Sequence, residues 1–367
     1  MTDQTRTLDV STPRRPFSPA DRRRLLNIAV FALFACYSVI TLFPFYVLFV
    51  RSFVSTTDSA DLHLWIPETD EVDLRAQFGN LTVFLNLDPA KVKEDLGIPA
   101  NDYIHPRYTL QNVADKYDIP EEEMKDYFYK YKRYNGWLVL LNEQELRPTL
   151  LRTLAITVAS LMGINVLASL TGYGLGGLRR RDQRLVYGLY LLQMVLPPML
   201  ILLPQYMIIK AIFGIVPDYD QPGTARHLAQ AVAIIAINIK GGALSTMIYT
   251  AYISQLPSDL EDAAMVDGAT RWQYYRYVLL PLMKVPAATL SVIMLPVFWN
   301  QFLEPYVYLD PNNSTMLPFI QKFAGQYSTN FQVIFSAILV SVVPLVVVYI
   351  IFRRFFIRGV LSGAVKG

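Results

Sequence analysis

The segment Gln255–Pro281, QLPSDLEDAAMVDGATRWQYYRYVLLP, is predicted to form two short helices joined by a tight turn. Ser258 and Glu261 have the spacing of a capping box, so the first helix is predicted to begin there. Gly268 can adopt the backbone dihedral angles that the end of this helix requires. A second helix, Arg271–Tyr277, carries aromatic side chains. The hairpin would leave apolar surface uncovered, which predicts a docking partner.

Long apolar segments flank this hairpin and recur along the 367-residue chain, which is 53% hydrophobic and 17% charged. About 20 apolar helical residues cross the ~30 Å hydrocarbon core of a bilayer. The fourth of these segments contains one charged residue, Lys240, and the other five contain no Asp, Glu, Lys or Arg. The pattern predicts an all-α membrane protein with six transmembrane helices: Asn27–Val50, Leu154–Leu175, Leu185–Ile209, Leu228–Ala251, Val285–Leu303 and Val333–Phe352.

The distribution of Lys and Arg predicts the orientation of the chain in the membrane. These residues resist translocation, so short loops rich in them stay in the cytoplasm. Both termini and the hairpin are therefore predicted to be cytoplasmic, in the plasma (inner) membrane. The same bias accounts for the net charge of +3, so the charge gives no support for a nucleic-acid partner. The cytoplasmic cluster comprises Arg179, Arg180, Arg181, Arg184, Arg271, Arg276, Lys284, Arg353, Arg354, Arg358 and Lys366.

A polar insertion separates the first two spans. Asp88, Pro89 and Gly97 predict the cap, start and end of a short helix in it, Thr109 predicts a second cap and Pro120 opens a third helix. Its many tyrosines are predicted to form the core and the membrane-facing rim of a small external domain, with a tethered glycan-binding or adhesion module as the alternative. The predicted organisation is a disordered cytoplasmic arm (1–26), a first span (27–50), the external insertion (51–149), a permease core (150–352) and a cytoplasmic tail (353–367).

A family resemblance rests on the spacing within the hairpin. Asp-Ala-Ala, a glycine and Leu-Pro match the E-A-A, Gly, Leu-Pro pattern, with Asp in place of the leading Glu. The segment resembles the coupling loop of binding-protein-dependent ABC transporter permeases, in which this loop docks in a cleft of the ATPase subunit. The resemblance implies an ATPase contact through Glu261, Asp262, Ala263, Ala264, Asp267, Gly268, Leu280 and Pro281.

The C-terminal sequence GVLSGAVKG, Gly359–Gly367, resembles the tail of maltose-type sugar permeases, which reaches between two ATPase subunits. The resemblance covers residues 150–367 and the first span, and the insertion departs from it. It implies two ATPase copies that hold ATP and Mg²⁺, a second homologous permease, an external solute-binding protein and an oligosaccharide such as maltose or trehalose. The tail residues implied in the contact are Ser362, Gly363, Lys366 and Gly367.

No phosphate-binding loop occurs in the sequence, so the chain is predicted to be a transport subunit without a cofactor or catalytic site of its own. Its three histidines are dispersed, which predicts no metal site. Asn238, Lys240, Asn300 and Gln301 are candidates for lining the pathway, because polar groups within spans usually face a cavity or a partner. For Lys240, a structural contact with a partner permease remains equally open. A permease for another solute and a self-sufficient secondary transporter are the alternatives for the whole chain.

Overall fold

The structure is a computed structural model that describes residues 19–54, 64–66, 72–85, 87–178, 180–195, 197–213, 223–240, 242–324 and 330–364. Within these ranges the chain is mainly helical, and an isolated antiparallel bridge pairs Gln77 with Thr109. Residues 1–18 of the predicted arm lie outside the described part of the chain, as do Lys366 and Gly367 of the predicted tail. The helices of the described ranges confirm the predicted all-α fold.

Helix α1, Pro19–Arg51, begins within the segment that was predicted to be disordered. Proline suits the first position of a helix, because its missing N–H has no intrahelical partner there. The apolar side chains along α1 are exposed, as in Phe31 at 74% and Ile40 at 70%. A helix that exposes such side chains is suited to contact with lipid or with another apolar helix.

The insertion is a small helical unit with its own core. The predicted caps are confirmed: the Asp88 carboxylate accepts a hydrogen bond from Ala90 N at 2.9 Å, and Thr109 Oγ1 accepts one from Asn112 N at 3.2 Å. Gly97 ends its helix with φ of 67°. The helices are α2 (Phe78–Phe84), α3 (Pro89–Asp95), α4 (Leu110–Tyr117) and α5 (Glu121–Asn142), and they enclose Val92, Leu110, Val113, Met124 and Phe128.

An exposed polar contact holds the loop before α4. The Tyr117 hydroxyl donates a hydrogen bond to the Asp102 carboxylate at 2.8 Å, and Lys116 Nζ lies 3.3 Å from the same oxygen. The tyrosine hydrogen bond, followed by the lysine, lowers the pKa of Asp102 because both groups favour the ionised carboxylate.

Three helices of the described chain are individually long and apolar enough to cross a membrane, and three bent pairs bring the number of spans to six if each pair is one span. The bends measure 99°, 54° and 66°. Proline or glycine precedes α8 and α10, and both residues disfavour a continuous helix. The elements are α6 (Leu146–Gly176), α7 (Arg180–Val195), α8 (Pro198–Phe213), α9 (Thr224–Ile239), α10 (Ala243–Ile253), α11 (Asp259–Val266), α12 (Arg271–Tyr274), α13 (Leu280–Leu282), α14 (Lys284–Trp299), α15 (Leu303–Tyr308), α16 (Met316–Gln321) and α17 (Phe331–Ala364).

Helix α6 lies at the centre of the membrane-spanning part and packs against α9, α10 and α14. A Cβ at Gly172 would lie 2.9 Å from the Tyr249 Cβ of α10, so only glycine permits this approach of the two helices. Close packing through a small residue therefore occurs at Gly172, while a Cβ at Gly176 would meet Ile253 only at 4.0 Å.

The insertion is fastened to the last span. The Gln332 side-chain amide, at the start of α17, donates to the main-chain oxygens of Lys132 and Arg133 in α5 at 3.1 and 2.7 Å. A Cβ at Gly136 would lie 2.6 Å from the Gln332 carbonyl oxygen, so the two backbones are in direct contact. Trp137 of α5 also donates to Ser52 at the end of α1. The insertion is therefore part of the helical framework and is not attached only by its two connections.

Candidate functional site

The hairpin residues 255–281 form two helices around a turn, as predicted, but the first cap differs. Ser258 has φ −60° and ψ −29°, which is already helical, and its side chain makes no capping hydrogen bond. The predicted capping box at Ser258 and Glu261 is therefore wrong. The capping box lies one helix later, where Thr270 Oγ1 accepts from Gln273 N and Gln273 Oε1 accepts from Thr270 N at 3.3 and 2.7 Å.

The turn of the hairpin is a glycine-terminated helix end. Gly268 has φ of 83°, its N–H donates to the Met265 carbonyl at 3.1 Å, and the Ala269 N–H donates to the Ala264 carbonyl at 3.0 Å. These are the two hydrogen bonds of a Schellman motif, which satisfies the last carbonyl groups of α11. The glycine thus sets the direction in which the chain leaves α11 for α12.

The inner face of the hairpin packs on α6. Tyr274, Tyr275 and Leu279 are buried together with Ile164 and Ala168 of α6. The Tyr275 hydroxyl lies 2.6 Å from Ser169 Oγ, in a buried position. The hairpin is therefore held on the helical core by both apolar packing and a hydrogen bond.

The structure divides the predicted ATPase-contact residues between two faces. Asp262, Ala263, Asp267 and Gly268 are exposed on the outer face, and Leu280 and Pro281 are exposed where the chain approaches α14. Glu261 and Ala264 are half-buried against the core. The predicted contact set omits the most exposed apolar side chain of the hairpin, Val266, at 88%, which belongs with Trp272 at 58% and Tyr277 at 69% to the exposed apolar set.

Two of the four candidate pathway residues come together. Asn238 Nδ2 donates to Ser160 Oγ at 3.0 Å, and Asn238 Oδ1 accepts from Gln301 Nε2 at 3.1 Å. Lys240 is exposed and its Nζ lies 3.4 Å from Gln205 Oε1, while Asn300 is exposed at the end of α14. The structure thus forms a polar cluster from α6, α9 and the residues after α14, which does not include Lys240 or Asn300.

A second polar cluster, which sequence reasoning missed, lies on α6. Asn165 Nδ2 donates to Ser291 Oγ at 3.0 Å, and the Tyr249 hydroxyl donates to Asn165 Oδ1 at 2.8 Å. Asn165, Ser169 and Tyr173 recur every four residues in a span that is otherwise mainly apolar. This spacing was the available signal, because residues four apart lie on one face of a helix.

The remaining predictions concern the tail and metals. Ser362 and Gly363 lie in the last turn of α17, which continues to Ala364 through most of the segment predicted as a separate tail. A helix satisfies its own backbone hydrogen bonds, so it can continue where the apolar sequence ends. Within the described ranges, no group of three His, Cys, Asp or Glu side chains could hold a metal ion.

Comparison with known proteins gives matches along the spans and the hairpin. Residues 164–362 match the family described as binding-protein-dependent transport system inner membrane component. The chain is 26% identical over 215 residues to the probable starch degradation products transport system permease protein AmyC of Thermoanaerobacterium thermosulfurigenes, covering 58% of this chain and 74% of that protein. It is 28% identical to the melibiose/raffinose/stachyose import permease protein MelC of Bacillus subtilis, covering 59% and 75%.

Two further similarities extend this comparison. The arabinooligosaccharides transport system permease protein AraQ of Halalkalibacterium halodurans is 29% identical over 216 residues, covering 59% of this chain and 71% of that protein. Among solved structures, a bacterial ABC transporter involved in the import of the acidic polysaccharide alginate is similar with a TM-score of 0.59 at 15% identity. That match covers 94% of this chain and 100% of the other, and it supports the fold.

Proposed function

The chain belongs to the family of binding-protein-dependent transport system inner membrane components, and from this premise we propose that it is the membrane-spanning permease subunit of an ATP-driven carbohydrate importer. The exposed outer face of the hairpin is the observation that carries the proposal. Val266 is 88% exposed beside small and acidic residues, on a hairpin whose other face is anchored to the core. An apolar surface presented in this way is suited to docking in a cleft of another protein.

The proposed partners follow from the same family. Two copies of an ATPase subunit would hold ATP and Mg²⁺ and bind the hairpin and the C-terminal tail. A second, homologous permease would pair with this chain in the membrane, and an external solute-binding protein would deliver the solute. Both termini and the hairpin would then face the cytoplasm, as the distribution of Lys and Arg favours.

Oligosaccharide is the substrate class that the relatives' names support. The substrates in those names are starch degradation products, melibiose, raffinose, stachyose and arabinooligosaccharides, so they agree on the class and differ in the sugar. We therefore propose an oligosaccharide without choosing maltose or trehalose. The Asn238 and Gln301 side chains could bind the hydroxyl groups of this substrate, since side-chain amides both donate and accept hydrogen bonds.

Association with an ATPase is the first test of the proposal. Val266→Asp places a carboxylate in the centre of the proposed docking face, where burial without a partner costs several kcal/mol. Co-purification of the native ATPase with the tagged chain is expected to fall at least tenfold. Val83→Asp is the matched control, because Val83 is a valine of similar exposure, 80%, on α2 of the insertion.

The results separate the competing functions. Loss of the ATPase in Val266→Asp and its retention in Val83→Asp, with ATP-dependent oligosaccharide uptake following the same pattern, support the importer. Equal retention in both variants would refute docking through the hairpin. Transport by the intact chain in vesicles without an ATPase would instead favour a secondary transporter.

A further inference from the structure

One face of α6 carries a row of hydrogen bonds that ends at the hairpin. Asn165, Ser169 and Tyr173 follow one another at intervals of four residues, so they lie on one face of the helix. Each contacts a different part of the chain. The partners are Tyr249 of α10 and Ser291 of α14 for Asn165, Tyr275 for Ser169, and Glu261 of α11 for Tyr173.

These contacts connect the hairpin with the helices around the polar cluster. Asn165 lies little more than one turn along α6 from Ser160, whose hydroxyl accepts from Asn238. A polar side chain within a span is stabilised when it finds a partner on a neighbouring helix, and such pairs hold helices in register. The row therefore joins α10, α14 and α11 to α6 at fixed positions.

The contact between Tyr173 and Glu261 differs from the others in its surroundings. The tyrosine hydroxyl donates to Glu261 Oε1 at 3.2 Å, and both residues line a cavity of about 650 Å³ between the end of α6, the end of α10 and the hairpin. The Ser169 and Tyr275 pair, by contrast, is buried. The Tyr173 ring also packs against the hairpin, with its centroid 6.0 Å from that of Tyr274 and 5.8 Å from that of Tyr275. The hydrogen bond to Glu261 adds a polar contact between α6 and α11 at the edge of this packing.

We propose that Tyr173 is a positioning residue for energy coupling: it holds Glu261 so that displacement of the hairpin by the ATPase is transmitted to α6. The inference rests on the proposed function, since it requires an ATPase on the outer face. Glu261 faces inward while its neighbours Asp262 and Ala263 face outward, so α11 can bind a partner and α6 at once. The close contact at Gly172 would then transmit movement of α6 to α10.

The test measures sugar imported per ATP hydrolysed by the whole complex in proteoliposomes. Tyr173→Phe keeps the ring and removes the hydroxyl, so assembly with the ATPase is expected to be unchanged while the ratio falls several-fold. Tyr37→Phe, on the exposed face of α1, is the matched control and is expected to keep the wild-type ratio. Glu261→Gln still accepts a hydrogen bond and is expected to preserve coupling, whereas Glu261→Ala is expected to behave like Tyr173→Phe.

A double variant gives the decisive comparison. If the two residues act through one contact, Tyr173→Phe with Glu261→Ala lowers the ratio no further than either change alone. A wild-type ratio in Tyr173→Phe, or independent losses that multiply in the double variant, would overturn the inference. Failure of the proposed function gives a different result, because the intact chain would then recover no ATPase at all.

Discussion

A substitution at Gly268 can show whether the hairpin depends on the backbone conformation of this residue or on its lack of a side chain. Its φ is 83°, and a Cβ built there has nothing within 4 Å. Gly268→Ala therefore adds no clash within the chain, and its cost is the strain of an L-residue in the left-handed region, about 1–2 kcal/mol. Since 1.4 kcal/mol is about a tenfold change in an equilibrium constant, the population of the native turn relative to other turn conformations is expected to fall by several-fold to about thirtyfold.

The insertion contains a matched position for this experiment. Gly97 also has positive φ, 67°, and a Cβ there would have nothing within 4 Å, so Gly97→Ala carries a similar strain far from the hairpin. Gly268→Asn is the second comparison, because asparagine adopts the left-handed region more readily than alanine. Thermal unfolding in detergent and ATPase co-purification are measured for all three variants.

The expected order of ATPase recovery follows from the Schellman motif. Gly97→Ala should recover as much ATPase as the wild type, Gly268→Asn should recover nearly as much, and Gly268→Ala should recover several-fold less. If Gly268→Asn loses more than Gly268→Ala, bulk on the docking face matters and the conformational argument is refuted. If Gly97→Ala loses as much as Gly268→Ala, general destabilisation explains the result.

Three further outcomes are expected. In Gly136→Ala the new Cβ would lie 2.6 Å from a backbone oxygen of α17, so the free energy of unfolding should fall by about 1–3 kcal/mol. In Gly174→Ala the new Cβ has nothing within 4 Å, so the free energy of unfolding should rise by about 0.5–1 kcal/mol. Thermal unfolding measures both changes. Asn238→Ala leaves the hydrogen-bonding groups of Ser160 and Gln301 without this partner, at a cost in stability of about 1–3 kcal/mol. Oligosaccharide uptake should fall relative to the control Asn300→Ala, which changes an exposed site. Equal uptake by the two variants would contradict a role for the cluster. The tyrosine and lysine contacts lower the pKa of Asp102 in the folded state, so the stabilisation that this carboxylate contributes is present above its unfolded pKa of about 3.9 and is lost as pH falls through the folded value. Asp102→Asn should therefore weaken the dependence of unfolding on acid pH in the full chain. An unchanged pH profile of unfolding would show that the contact contributes nothing to stability.

Sequence alone determined the features that depend on local physics. The long apolar segments predicted the spans, because the bilayer requires about 20 apolar helical residues whatever their neighbours are. Asp88 and Thr109 predicted helix starts, and Gly97 and Gly268 predicted helix ends, because a cap involves only a few successive residues. The motif around Asp262 likewise led to the family that the comparison then showed.

Tertiary structure decided which side chains face one another. Ser258 and Thr270 both begin segments with the spacing of a capping box, but in the folded hairpin only Thr270 has the extended dihedral angles of a cap. Asn238 and Lys240 are two residues apart, yet the end of α9 directs the first toward Gln301 and the second toward Gln205. These outcomes depend on how distant helices pack and where the broken spans bend, and a local sequence pattern does not specify which distant residue a side chain will meet.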